Sequence, residues 1–430
     1  MLRQLLALSA VLLMLTPAHA APTIHRLETG KWRAWVEITP NPDPSAESFP
    51  FEAAQHRVPF ELELARWEGG VKAWLVNAGE RIEVPRTTWA EGQLTISIDY
   101  YDSTIEAAVS EDGKTMVGQW KKRRGSDKWG VMPFGATVGE QPRFPHFNPP
   151  GAHHDSLPLA KRWRINFADD PDPAIGIFDF DQNGIVTGTI LTTTGDYRFL
   201  AGVYQSGVLL LSAFDGSHAF LIGAVQHQPG KLKGDFYSGN WAHSTWTAEA
   251  DDTAALPEGW STDTIRKDKS LKDVSVRTLD GLSLTLDDPR VRGERGTLFA
   301  LFGTWCPNCL DETRLLAELH EKYSARGVKI VGLAFELTGD ETRDRDKVRL
   351  YAERFKVPYL LLLAGVSEKS KAAAAMPILE RIKAYPTTLF VDRTGTIKSI
   401  HTGFSGPATG DEYTKLRAAF EKHIEQLIAE

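Results

Sequence analysis

The chain has 430 residues and a formal net charge of −7 at pH 7, from 49 Lys+Arg against 56 Asp+Glu, with 42% hydrophobic residues, 36 Gly and 24 Pro. Charges this nearly balanced leave no basic patch, which excludes nucleic acid as the expected partner. The composition is that of an ordinary soluble protein, and the length implies two or three domains.

Residues 1–20 read as a secretory signal. Arg3 supplies the positive start, Leu5 to Leu15 the apolar core, and Ala18-His19-Ala20 a small-x-small cleavage site. The apolar run is short for a membrane span, and no cysteine follows the cleavage site to take a lipid. Export to the periplasm or its equivalent is therefore expected, with an uncleaved membrane anchor as the lesser alternative.

From Pro22 to Arg143 the sequence alternates polar and apolar residues and turns about every ten residues. Strands are predicted at Lys31–Ile38, Val58–Ala65, Val71–Asn77, Arg81–Val84, Gln93–Asp99, Thr104–Val109, Thr115–Trp120 and Trp129–Ala136, a spacing that favours an antiparallel sandwich or barrel. Gln141–Leu159, rich in Pro, His and Gly, reads as a linker. A second β-rich stretch carries predicted strands at Arg162–Phe167, Ile175–Phe180, Gly184–Thr192, Tyr197–Gly202, Gly207–Ala213, His218–Ala224, Lys231–Tyr237 and Ser244–Ala248. Val117-Gly118-Gln119-Trp120 and Trp129 echo Lys233-Gly234-Asp235-Phe236 and Trp246 at similar spacing, so two copies of one β module are expected.

Two signals in this half are discounted. Asp179-Phe180-Asp181-Gln182-Asn183-Gly184 copies the start of a calcium loop, but its twelfth position is Ile190 where a bidentate Glu is needed, so a turn is expected. His146, His153, His154 and Asp155 lack the regular spacing of metal ligands and read as solvated loop residues.

Asp251–Lys272 reads as a linker, and Val274–Leu286, with Asp280-Gly281 as its turn, as a hairpin. The apolar run Thr297–Phe302 predicts a buried strand, and Leu310, Leu315, Leu316, Leu319 and Tyr323 recur with helical spacing. Between them stands Trp305-Cys306-Pro307-Asn308-Cys309, which holds the only two cysteines of the chain. Cys306 is thereby placed just before or at the first helical turn. Unpaired N–H groups there lower a thiol pKa from roughly 8.5 towards neutral or below. Cys306 is the expected nucleophile, and Cys309, one turn on, resolves the mixed disulfide. Pro307 suits an early helical position because it has no N–H to leave unpaired. A purely structural disulfide explains little, since so short a loop removes little unfolded-state entropy. Zinc would need a second ligand pair.

Further on, Val328–Phe335 predicts a central strand and Asp340–Lys347 a solvated charge run opening a helix with Val348, Leu350, Tyr351 and Phe355. Tyr359–Leu363 predicts a strand, Pro377–Lys383 a helix, and Ile397–His401 the last strand. A closing helix carries Tyr413, Leu416, Phe420, Ile424 and Leu427 as core.

Phe302-Gly303-Thr304-Trp305-Cys306-Pro307-Asn308-Cys309, Ala384-Tyr385-Pro386-Thr387-Thr388-Leu389-Phe390-Val391-Asp392 and Thr394-Gly395 together resemble thioredoxin-fold thiol:disulfide oxidoreductases of the exported TlpA-like reductase type. The resemblance implies that Pro386 is a cis proline whose loop, with Tyr385 and Thr387, faces the cysteines. It implies that Glu312 is an active-site carboxylate able to relay protons, Ala300 standing where thioredoxin has a buried acid. Glu336 is a second candidate for that relay, and a decorative place in the first helical turn is the plainer reading of Glu312. The wide span from Cys309 to Pro386 implies a helix-strand insertion. The expected architecture is multidomain: a signal peptide at 1–20, antiparallel β modules at 21–145 and 146–250, a linker at 251–272, and an α/β thioredoxin-like domain at 273–430. The resemblance further implies protein thiols and disulfides as substrates and no cofactor beyond the redox-active Cys306–Cys309 pair, and recharging a reduced thiol carrier in an oxidising compartment implies a membrane thiol electron donor. Rival readings are an oxidase or isomerase, and a β-rich binding protein with an accessory docking domain. The sequence does not fix the oligomeric state.

Overall fold

The computed structural model describes residues 26–39, 56–145, 158–262 and 264–430. The predicted signal segment, and the histidines at 146, 153 and 154 with Asp155, lie outside the described residues.

The first sheet comprises β1 (Gly30–Glu37), β2 (Arg57–Trp67), β3 (Gly70–Asn77), β4 (Glu80–Glu83), β5 (Arg86–Ala90), β6 (Gln93–Ile98), β7 (Ser103–Val109), β8 (Thr115–Arg123) and β9 (Trp129–Val138). Their order is β4-β3-β2-β1-β9-β8-β7-β6-β5, an open half-barrel with β4 and β5 at its edges. Side-chain alternation sets the register: Phe60, Leu62 and Leu64 of β2 are buried, while Glu61 and Glu63 between them lie on the other face.

The second sheet comprises β10 (Arg162–Phe167), β11 (Ala174–Phe180), β12 (Ile185–Thr192), β13 (Gly195–Asp196), β14 (Leu200–Gln205), β15 (Val208–Phe214), β16 (Ala219–Gln228), β17 (Lys231–Ser238) and β18 (Ala242–Ala250). Pairing of β10 with both β11 and β18, and of β11 with β12, closes it into a barrel. Trp163, Phe178 and Trp246 are buried in its core. The two sheets share one connectivity, the first strand of each lying between the second and the last. The echoed glycines hold equivalent places, since a Cβ at Gly118 or Gly234 would sit 1.9 Å from the carbonyl oxygen of Glu106 or Gly223 on the neighbouring strand. The echo fails at the tryptophans. Trp246 is buried, whereas Trp129 is 51% exposed with the Arg123 guanidinium over its ring.

An aromatic seam joins the sheets. Phe214 stacks on Phe60 with centroids 4.2 Å apart and meets Trp120 edge-on at 5.0 Å. Asn77 Nδ2 donates to Phe214 O at 2.7 Å. Phe214 projects from barrel strand β15 into the half-barrel core and is fully buried there, so Phe214→Ala should cost about 3–5 kcal/mol. Thermal unfolding would show one lowered transition for the joined β unit; an unchanged midpoint would contradict the packing of Phe214 against Phe60 and Trp120.

The third sheet holds β19 (Trp260–Ser261), β20 (Ser275–Thr278), β21 (Ser283–Thr285), β22 (Gly296–Phe302), β23 (Val328–Glu336), β24 (Leu360–Val366), β25 (Thr387–Asp392) and β26 (Ile397–Thr402), in the order β19-β26-β25-β22-β23-β24-β20-β21. Helices α1 (Pro307–Tyr323), α2 (Glu341–Phe355), α3 (Lys369–Ala375) and α4 (Asp411–Ala429) accompany it. All seven residues of β22 are buried, as befits a central strand covered on both faces. Phe420, Ile424 and Leu427 of α4 are buried as the apolar stripe requires. The architecture is thus two antiparallel β modules followed by an α/β thioredoxin-like unit.

Several expectations are corrected. No helix starts at Pro377. Helix α3 ends before it, and Met376 leaves the helical region (φ −118°, ψ 64°), as a residue preceding proline tends to. The chain beyond makes a turn, Leu379 N donating to Met376 O at 2.9 Å, and is pinned by Leu379 bridging Ile265 and by Ile378 O accepting from Arg266 N at 2.9 Å. The charge run 340–347 is not a solvated face. Asp344 is buried, while Arg343 and Lys347 bind Asp102 of the half-barrel. The segment 251–272 does more than link, because Trp260–Ser261 extends the third sheet at β26 and Trp260 stacks on His423 at 3.8 Å. The Asp179–Gly184 segment is a turn as expected: the Asp181 carboxylate accepts from Asn183 N and Ile185 N, and Gly184 takes φ +76°.

Candidate active site

Helix α1 begins at Pro307, and Cys306 is its N-cap, an extended residue whose Sγ accepts the Cys309 N–H at 3.2 Å. The sulfur thus occupies the place a Ser or Asp side chain takes at most helix starts, facing otherwise unpaired amides. Cys306 and Cys309 are joined as a disulfide, with Cα atoms 5.3 Å apart. Both are buried, Cys309 fully and Cys306 nearly so.

The loop entering the motif is anchored from β23. Glu336 accepts from Thr304 N at 2.9 Å and from Thr304 Oγ1 at 2.8 Å. Trp305 Nε1 donates to Phe335 O at 2.9 Å, and the indole meets Tyr385 edge-on at 5.7 Å. With both oxygens engaged two residues before Cys306, Glu336 is placed to position the motif rather than to reach the sulfurs. Burial pushes it up to about 7.

Across from the cysteines, the Tyr385–Pro386 bond is cis. Tyr385 O lies 3.6 Å from Cys306 Sγ, Thr387 Oγ1 donates to Ala384 O at 2.8 Å, and Pro386 O accepts from Gly403 N at 2.9 Å. Of the predicted residues, Trp305 and Pro307 flank Cys306 in sequence and Tyr385 brings its carbonyl to the sulfur, with Pro386 and Thr387 following it in the same loop.

Glu312 lies three residues after Cys309, on the same face of α1. It is 1% exposed, and its Oε1 accepts from Thr388 Oγ1 at 2.8 Å. Burial pushes its carboxyl up to about 8, with the Thr388 bond opposing, so it holds a proton at neutral pH. Among the described residues no group of three or more His, Cys, Asp or Glu could hold a metal ion, and no helix is long and apolar enough to cross a membrane.

Sequence reasoning missed the residues that reach this site from the β unit. Asn308 Nδ2 donates to Asp196 O at 3.1 Å, Arg198 Nη1 to Pro307 O at 3.1 Å, and Ser217 Oγ to Trp305 O at 3.0 Å. Arg198 also pairs with Asp311 of α1 and with Glu80 of the half-barrel. Nothing local marks these residues, since each lies about a hundred positions from its partner.

Residues 266–416 match the redoxin family. The thioredoxin-like protein YneN of Bacillus subtilis (strain 168) is 27% identical over 139 residues, 32% of this chain and 73% of that protein. The thiol-disulfide oxidoreductase ResA of Geobacillus thermodenitrificans (strain NG80-2) is 28% identical over 131 residues, 30% of this chain and 66% of its own length. Among solved structures, a putative thiol:disulfide interchange protein DsbE from Chlorobium tepidum aligns at a TM-score of 0.29 and 18% identity, covering 39% of this chain and 99% of that one. StoA from Bacillus subtilis aligns at 0.24 and 18%, covering 33% and 94%.

Proposed function

We propose, from the premise that residues 266–416 form a redoxin domain of thioredoxin-like fold, that this thiol:disulfide oxidoreductase reduces protein disulfides in the cell envelope. The observation that carries the reading is Cys306 capping α1 with its sulfur on the Cys309 amide. In the reduced protein that place favours the thiolate.

The Cys306 thiolate attacks one sulfur of the substrate disulfide, and the other leaves as a thiolate. Cys309 then loses its proton and attacks Cys306 Sγ, releasing the second substrate thiolate and leaving the Cys306–Cys309 disulfide. Two electrons pass to the substrate. Glu312, raised to about 8 and so partly ionised near neutral pH, takes in its carboxylate form the proton that Cys309 loses and returns it to a departing thiolate. Tyr385, Pro386 and Thr387 present the backbone opposite the attacking sulfur.

The segment 1–20 supports export to the periplasm, an oxidising compartment in which the spent disulfide must be reduced again. A membrane thiol donor fits that need. Equilibration of the Cys306–Cys309 pair against dithiothreitol buffers sets the direction. A potential below roughly −200 mV is expected for a reductase, and one well above it would make the protein an oxidase or isomerase. Trapping Cys309→Ala in cells should yield mixed disulfides with envelope proteins, and finding none would remove proteins as substrates.

A further inference from the structure

The face of the redox domain that carries Cys306 is covered. Two segments of the barrel lie on it, Thr193–Arg198 between β12 and β14 and Asp215–His218 between β15 and β16. Ser217 takes the carbonyl just before Cys306 and Arg198 the carbonyl just after it. Asp196 holds both the Asn308 side chain and Gly406 N of the loop after β26. The fit leaves no slack. A Cβ on Gly195 would lie 2.2 Å from Asn308 Nδ2, and one on Gly403 would lie 2.8 Å from the backbone carbon of Thr194. Beneath these segments Cys306 is 6% exposed, which leaves a polypeptide disulfide little surface to reach.

The chemistry of this seam differs from that between the two sheets. The half-barrel and barrel meet through stacked aromatics. Over the dithiol the contacts are polar and charged. Arg198 is buried among Asp311, Glu80 and Asp215, and Lys122 of the half-barrel donates to Ser217, which in turn holds Trp305. On the far side Arg343 and Lys347 of α2 bind Asp102, and Tyr100 meeting Phe355 edge-on at 5.0 Å is an aromatic contact there. Buried ion pairs roughly break even against water when both partners are released together. Such a seam separates at low cost, whereas the aromatic one stays shut.

We propose that these two barrel segments are the specificity element of the oxidoreductase: a lid, latched by Arg198, that must leave the dithiol face before a protein disulfide reaches Cys306. The proposal rests on the reading of Cys306 as the attacking thiol, and its test is built so that the two fail separately. In a Cys309→Ala background Cys306 is the sole thiol, and its labelling needs no turnover. The probes are N-ethylmaleimide and a long polyethylene-glycol maleimide, each referenced to a free cysteine peptide. A lid open a tenth of the time or less slows the large probe at least about tenfold, so wild-type segments should show that deficit relative to the small probe. Arg198→Glu, which sets a fourth carboxylate among three, should abolish it. If that variant does not fold, Asp196→Ala with Ser217→Ala is read the same way. Large and small probes reacting in the free-peptide ratio before any latch mutation would overturn the lid, as would a deficit that persists in a folded latch variant. Insulin reduction in the otherwise wild-type chain should rise about tenfold or more with the same latch substitutions. Loss of all disulfide reduction while size selectivity stays intact would sink the enzymatic reading and leave the lid standing.

Discussion

Cys306→Ser is expected to abolish disulfide exchange while leaving the fold intact. The residue is an N-cap, and serine is a favoured one, its hydroxyl accepting the Cys309 N–H much as Sγ does at 3.2 Å. The serine oxygen cannot form the mixed disulfide, so turnover with a small disulfide should fall to background. Circular dichroism and the unfolding midpoint should move little beyond the loss of the short disulfide loop, which contributes little chain entropy. Cys309→Ser should behave differently: the first attack persists, and the product stays covalently attached. Comparable activity in wild type and Cys306→Ser, read with dithiothreitol as donor, would show that exchange does not pass through this sulfur.

The second large effect concerns Glu312. In the unfolded chain this carboxyl ionises near its ordinary 4.5, whereas the fold holds its proton to about 8. Between those values the folded state binds more protons than the unfolded one, so stability falls as pH rises, and the loss is complete above about 8. Glu312→Gln keeps an oxygen for Thr388 and removes the ionisation. The variant should match wild type near pH 4 and exceed it at pH 8 by an amount on the order of 2 kcal/mol or more, measured from urea midpoints. The same substitution should slow the resolving step by about 10²-fold and remove the bend near pH 8 from its rate profile. A stability difference that does not change with pH would deny Glu312 its buried proton. An unchanged rate profile would reduce it to a core residue.

Much of this was legible from residue order because the signals are local. Alternation marks β2 and β3, a continuous apolar run marks β15, and the Cys306–Cys309 pair sits where a buried run gives way to helical spacing. Strands β5 and β13 escaped notice for opposite reasons: Arg86–Ala90 is a polar edge strand with little buried face, and Gly195–Asp196 is two residues long. Pro377 misled because proline both opens helices and follows them, and here Met376 had already left the helical region. The acidic and basic residues of 340–347 look solvated in any window, and only the approach of Asp99–Asp102 turns them into a seam. Arg198, Asp196 and Ser217 were out of reach altogether. A buried arginine in a β-rich stretch becomes meaningful once the fold brings Asp311 and Glu80 to it.

Exchange through Cys306 depends on the acidity of one thiol, and the direct measurement is the pH dependence of iodoacetamide alkylation of Cys306 in the reduced Cys309→Ala protein. A half-maximal rate at or below neutral pH is the predicted result, from amides of α1 facing the sulfur. A midpoint near roughly 8.5, that of an ordinary cysteine, would contradict it.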